Sequence, residues 1–288
     1  MHFVLISILC SVGVSILIKL ARRRKVSYLQ LIVWNYPISI LCSYFFLNVN
    51  LSHFELTDLP WGVYIALGVL LPSIFVYIAK TIRYSGIAIA EVAQRVSLFI
   101  PLLAAGLLFH EQISINRILG IALGFLAIAL CVGWQKGASA TKDAKKYWLY
   151  PLLVFLGMGV IDVLFKKVAT YTTVSYTNSL FIIFVIAFFI ALLYLFFWLK
   201  LKKHRFDWKA IFWGMSLGVL NFGNILFYMK AHKALPDNPS VVFTAMNIGV
   251  MSLGSVVGVL VFGEKLSKIN KLGLLLAIVA VLIITINE

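Results

Sequence analysis

Ten apolar runs, each close to 20 residues and separated by short polar connections, fill almost the whole chain. About 20 apolar residues in a helix cross the roughly 30 Å of hydrocarbon in a bilayer. A soluble domain has no place for so many, because its outside must face water. The composition agrees: 62% of the 288 residues are hydrophobic, only 12% are charged, and the mean hydropathy is +1.01. The fold class read from this is an all-α polytopic membrane protein. Its spans fall near 3–19, 28–47, 60–79, 86–109, 115–134, 148–168, 177–199, 208–229, 239–262 and 271–286. The first run has basic residues after it and none before, so it reads as span one and not as a cleaved leader.

The runs come in two sets. Displaced by 153 positions, Phe109-His110-Glu111-Gln112-Ile113-Ser114 falls on Phe262-Gly263-Glu264-Lys265-Leu266-Ser267. Without a gap, Leu119-Gly120 then meets Leu272-Gly273, Leu123 meets Leu276, Ala127 meets Ala280, and upstream Lys80 meets Lys233. Glu, Ser, Gly and Lys in one register carry more information than matched aliphatics. The chain therefore reads as a first repeat over 1–135, a basic linker over 136–147 and a second repeat over 148–288. Five spans per repeat is an odd number, so two units of one fold enter the membrane from opposite sides. That gives ten transmembrane helices as two inverted five-helix repeats, an arrangement used for alternating access.

The net charge of +15 would suit a nucleic-acid partner in a soluble protein. Here it sits in short loops, where it reads as topology and as contact with membrane lipids, and no nucleic-acid partner is expected. Lys and Arg of the odd-numbered loops (Arg22, Arg23, Arg24 and Lys25 among them) far outnumber those of the even-numbered loops (Arg117, Lys166, Lys167, Lys230, Lys233). The positive-inside rule then places both termini outside the cytoplasm. Trp61, Tyr64, Trp134, Tyr147, Trp148, Trp198 and Trp208 sit near span ends, where amphipathic rings prefer the headgroup level. Asn238, and Ser85 at the equivalent place, are expected to cap spans nine and four. Proline inside spans (Pro37, Pro72, Pro101) permits kinks. Pro101 has no counterpart in the second repeat, where Gly254 takes its place.

Ten spans in two five-helix repeats, with the fourth and ninth each ending in Phe-x-Glu, then x-x-Ser and a Leu-Gly opening the next helix, resemble the EamA-type permeases of the drug/metabolite transporter superfamily. The resemblance implies a membrane carrier of small metabolites whose cavity is lined by helices of both halves, the fourth and ninth prominently. It also implies termini in the cytoplasm, the reverse of what the charge count gives.

Charge inside a bilayer is expensive, so each such residue is a candidate for function. Glu91 and Arg95 stand four positions apart on span four, on one helix face, with Gln94 beside them. One reading is a self-neutralising pair that fixes helix packing. The other is that Arg95 offers a bidentate fork to a substrate carboxylate or phosphate. Glu91 would then hold Arg95 in the empty state or take up a proton. On span nine, Ser240, Thr244 and Asn247 line one face, and Asn247 answers Gln94 in the repeat. Asp162 in span six, with Lys166 four residues on, is a second proton-coupling candidate; in another register Ser15 and Lys19 fall on Asp162 and Lys166. Lys19 and Lys166 also suit snorkelling to the headgroups. Asn221, Asn224 and Tyr228 share a face of span eight and read as interhelical glue or as substrate contacts. Asn35, Tyr36, Gly214 and Gly218 read as packing, and Glu111 and Glu264 as structural groups that cap helix ends or pair with loop lysines.

Cys10, Cys42 and Cys131 lie inside apolar runs at spacings that suit neither zinc nor disulfides. The five histidines are scattered at ends and loops. No catalytic constellation, metal site or cofactor is expected, and no phosphate-binding loop for direct nucleotide use. The reading is a secondary carrier in the plasma membrane for a small metabolite such as an amino acid or organic anion, working as monomer or homodimer. The alternatives are a flippase for a charged lipid and a membrane-embedded enzyme acting on a lipid-linked substrate.

Overall fold

A computed structural model describes residues 2–47, 49, 59–108, 115–133, 144–169, 171, 174–201, 206–234 and 239–286. Among the described residues the chain forms eleven helices: α1 (His2–Arg23), α2 (Tyr28–Phe46), α3 (Trp61–Tyr84), α4 (Ile87–Val96), α5 (Phe99–Leu108), α6 (Ile115–Gly133), α7 (Ala144–Ala169), α8 (Tyr176–Leu201), α9 (Lys209–Ala234), α10 (Pro239–Leu260) and α11 (Lys268–Ile286). Six of them, α1, α2, α3, α7, α8 and α9, are long and apolar enough to cross a membrane. All ten spans read from the sequence are helical, and large apolar side chains such as Phe45, Phe189, Phe212 and Leu260 stand exposed, as lipid-facing residues do.

Span four departs from the expectation of one continuous helix. It is two ten-residue helices, α4 and α5, with a break at Ser97 and Leu98. Pro101 supplies the physical cause: it has no N–H to give, and its ring would strike the carbonyl four residues back, that of Ser97. That carbonyl instead accepts from Ile100 N–H at 2.9 Å, and the Leu98 N–H turns to Arg95 O at 3.3 Å. Pro101 is thereby left in the first turn of α5, where proline is tolerated. Pro37 and Pro72 lie inside unbroken helices.

The chain divides into two compact units, each drawing on both halves of the sequence. The first comprises 1–16, 77–160 and 224–288, the second 17–76 and 161–223. Within the first, α6 packs along α11 and α4 against α10; within the second, α2 packs against α8. Each of these pairs joins two spans that stand five apart in chain order. Lipid offers helices no hydrophobic drive to associate, so close backbone approach and interhelical hydrogen bonds do the work. In the second unit Gly214 and Gly218 provide that approach: an added Cβ would lie 2.6 Å from Leu31 O and from Asn35 O. The expected packing role of these glycines is what the fold uses. Tyr64 does not belong to the interfacial ring belt; it is fully buried and donates to Ser179 Oγ at 2.6 Å. Trp61, Trp148 and Trp208 are exposed, whereas Trp134 and the side chain of Tyr147 lie outside the described residues.

Most hydroxyls inside the helices satisfy themselves locally. Ser39, Ser73, Thr81, Ser216 and Ser255 each donate to the carbonyl four residues back. This is the inexpensive way to carry a hydroxyl through an apolar helix.

Candidate functional site

Three serines depart from that habit. Ser7, Ser11 and Ser15 recur every fourth residue on α1, so they share one face, and each meets a polar group of another helix. Ser15 donates to Glu91 Oε1 at 2.5 Å, Ser11 accepts from Arg95 Nη2 at 2.6 Å, and Ser7 donates to Asn224 Oδ1 at 2.9 Å and Asn224 O at 3.0 Å. All belong to the first unit. The sequence reading singled out Glu91, Arg95 and Asn224 but missed this stripe. Serine at i, i+4 and i+8 in an apolar run was the signal, because that spacing puts three hydroxyls on one helix face.

Glu91 and Arg95 are both on α4, yet among the described residues they hydrogen-bond to α1 and not to one another. Glu91 is 1% exposed and held in the charge-assisted range of hydroxyl–carboxylate bonds. It rests on α10 at Gly254, where a Cβ would come within 2.7 Å of its Cγ. Arg95 is half-buried, and its Nε is buried without a hydrogen-bond partner. One N–H of the guanidinium fork is thus unspent, at a cost of about 1–3 kcal/mol unless something accepts from it. Gln94 turns inward on its own helix, Nε2 donating to Ala90 O at 3.2 Å.

The other candidates are spread more widely. Asn247 on α10 is buried at 2% exposure. The side chains of Thr244 and Ser240 lie outside the described residues. Tyr228 packs on a buried cluster of Val4, Ile8, Val12, Met246 and Val250, where α1 meets α9 and α10. Asp162 and Asn221 are in the second unit. Asp162 lies within electrostatic reach of Tyr176, and Asn221 Nδ2 points to Asn35 Oδ1 at 3.5 Å. Among the described residues no three His, Cys, Asp or Glu gather as metal ligands would.

What this arrangement can do follows from the donors it holds. A guanidinium with one arm on a serine and a buried N–H left over recognises an acceptor pair such as a carboxylate.

Comparison with known proteins gives a consistent picture. Residues 1–133 match the model of the EamA-like transporter family. A chain from Haemophilus influenzae (strain ATCC 51907 / DSM 11121 / KW20 / Rd), described as an uncharacterized protein, is 41% identical over 287 residues, covering 98% of this chain and 96% of its own. A chain of known crystal structure superposes with a TM-score of 0.62 at 15% identity, over 99% of this chain and 97% of its own, and so shares the fold.

Proposed function

The chain belongs to the EamA-like transporter family, and from that premise we propose that it is a secondary carrier for a small anionic metabolite, such as an amino acid or organic acid. The observation that carries this reading is Arg95, half-buried in a membrane helix with Nη2 on Ser11 and Nε unspent. A substrate carboxylate would take the unspent N–H, and α1 would sense it through Ser11. Glu91 and Asp162 are the carboxyls we assign to proton coupling. The two repeats, 1–135 and 148–288 about the linker 136–147, would be inverted relative to one another and rock about the site. The pairing of α4 with α10, α6 with α11 and α2 with α8 supports that symmetry. We place the carrier in the plasma membrane as a monomer or homodimer.

The test is a thermal-shift screen of the purified protein against amino acids, organic acids, sugars, nucleotides and amines. A ligand at a hundred times its dissociation constant stabilises by about 2.7 kcal/mol. A shift from one anionic class, abolished in Arg95→Ala, is the expected result. A shift from cations or sugars alone would overturn the assignment of Arg95; no shift from any soluble ligand, with lipid scrambling in vesicles, would convert the reading to a flippase. Transport by Glu91→Gln with an unchanged pH profile would remove Glu91 from the coupling. Labelling of a cysteine placed at Arg22–Lys25 from outside intact cells would refute the orientation given by the loop charges.

A further inference from the structure

We propose that the Glu264 carboxylate is a releasable latch that sets the position of α4, and through it the positions of Glu91 and Arg95. The latch serves the carrier reading above but can be observed without transport.

The first amides of a helix have no intrahelical acceptor. At α4 these are Ile87 and Ala88 N–H, and the N-cap, Gly86, has no side chain to offer them. The N-cap position falls on Gly86 and not on Ser85, where it was expected; both amides donate to Glu264, at 2.7 Å to Oε1 and 3.3 Å to Oε2. A carboxylate there also meets the positive end of the helix dipole. The seat is shaped for it. Gly86 takes φ 95°, open to glycine, and a Cβ on it would stand 2.6 Å from the carboxylate carbon. A Cβ on Gly258 would stand 3.0 Å from the same carbon. Meanwhile the Glu264 backbone is tied to α10: Gly263, at φ 65°, turns the chain back, and Glu264 N–H donates to Gly258 O at 2.9 Å. Glu264 therefore has its backbone on α10 and its side chain on α4.

The start of α11 shows what a permanent cap looks like. Ser267 Oγ accepts from Asn270 N–H at 3.1 Å, and Asn270 Oδ1 accepts from Ser267 N–H at 3.1 Å. That box lies within four residues and travels with its helix. The α4 cap comes from a residue 177 positions away and is lost whenever α4 leaves the end of α10. At the other end of α4 lies the break at Ser97 and Leu98. A ten-residue helix held by a break at one end and a carboxylate at the other is a lever, and Glu91 and Arg95 ride on it.

The test uses the full-length chain in lipid nanodiscs, with Cys10, Cys42 and Cys131 replaced and Gln94→Cys added as a reporter for an impermeant maleimide. Hydrogen exchange at Ile87 and Ala88 reads the latch directly, since among the described residues Glu264 is the acceptor of both amides. In Glu264→Gln we expect exchange there to rise about tenfold or more, α11 amides to stay unchanged, and Gln94→Cys labelling to rise severalfold. Gly258→Ala, which evicts the carboxylate without altering it, should give the same pattern and stands in if Glu264→Gln does not fold. Unchanged exchange at Ile87 and Ala88 would overturn the proposal. So would faster exchange with unchanged labelling, which is what a static cap gives. Arg95→Ala should leave exchange at Ile87 and Ala88 as in the parent, so failure of the substrate site and failure of the latch are told apart.

Discussion

Spans four and nine align in the 153-residue register, yet one is broken and the other runs unbroken as α10 from Pro239 to Leu260. The difference traces to one register position, Pro101 in the first repeat and Gly254 in the second. Its consequences are not confined to backbone geometry. The broken span carries the ionisable pair, buried Glu91 and half-buried Arg95; the unbroken one carries Thr244 and Ile248 at the matching positions. Gly254 is also the surface on which Glu91 rests. The position where the repeats part company thus frees one helix to end early and gives the other a notch for the first helix's carboxyl.

That contrast can be broken at several strengths. Gly254→Pro should do most harm, because it puts a ring into the interior of α10 and into Glu91 at once. About 3 kcal/mol or more is expected from the helix alone, read as a fall in the thermal midpoint of the purified protein; a stable variant would show that α10 tolerates the break of its partner. Arg95→Ala comes next, at about 2 kcal/mol, roughly thirtyfold in the affinity for an anionic ligand, measured by titration. Ser15→Ala leaves the buried Glu91 carboxyl one bond short and should cost about 1–2 kcal/mol. Ser39→Ala, whose hydroxyl serves only its own helix, should stay within about 0.5 kcal/mol. Equal effects of the two serines in a thermal-unfolding comparison would erase the distinction between cross-helix and local hydroxyls. Smallest of all, Pro101→Ala should change stability by less than about 1 kcal/mol and slow hydrogen exchange at Ser97 and Leu98 as α4 and α5 coalesce. Exchange left unchanged would remove the proline as the cause of the break.

Number, placement and type of the spans were legible because hydropathy over 20 residues is a bulk property that no single neighbour overrides. Glu91 and Arg95 were legible because charge in an apolar run is costly wherever it points. The misses share a different cause. The break in span four appears at Ser97, one turn before the proline that produces it, since proline acts on the carbonyl behind it. Tyr64 read as a headgroup anchor because its position in the run is terminal; burial depends on Ser179, a residue far along the chain. Asn224 was recognised as polar without its partner, and the partner, Ser7, looked like any small residue in a span. Glu264 read as a structural group that caps a helix end or pairs with loop lysines, but the helix it caps could not be named from sequence, because end-capping by a distant carboxylate leaves no local pattern.

The distance between α4 and its cap has a kinetic side. A ribosome adding about 5–20 residues per second needs on the order of ten to thirty seconds to make the 177 residues that separate Ile87 from Glu264. For that interval α4 is in the nascent chain with its first amides waiting for a carboxylate not yet synthesised, while α11 brings its own box with it. The helix that carries the charged residues is therefore among the first to be made and cannot be completed until the ninth span has arrived.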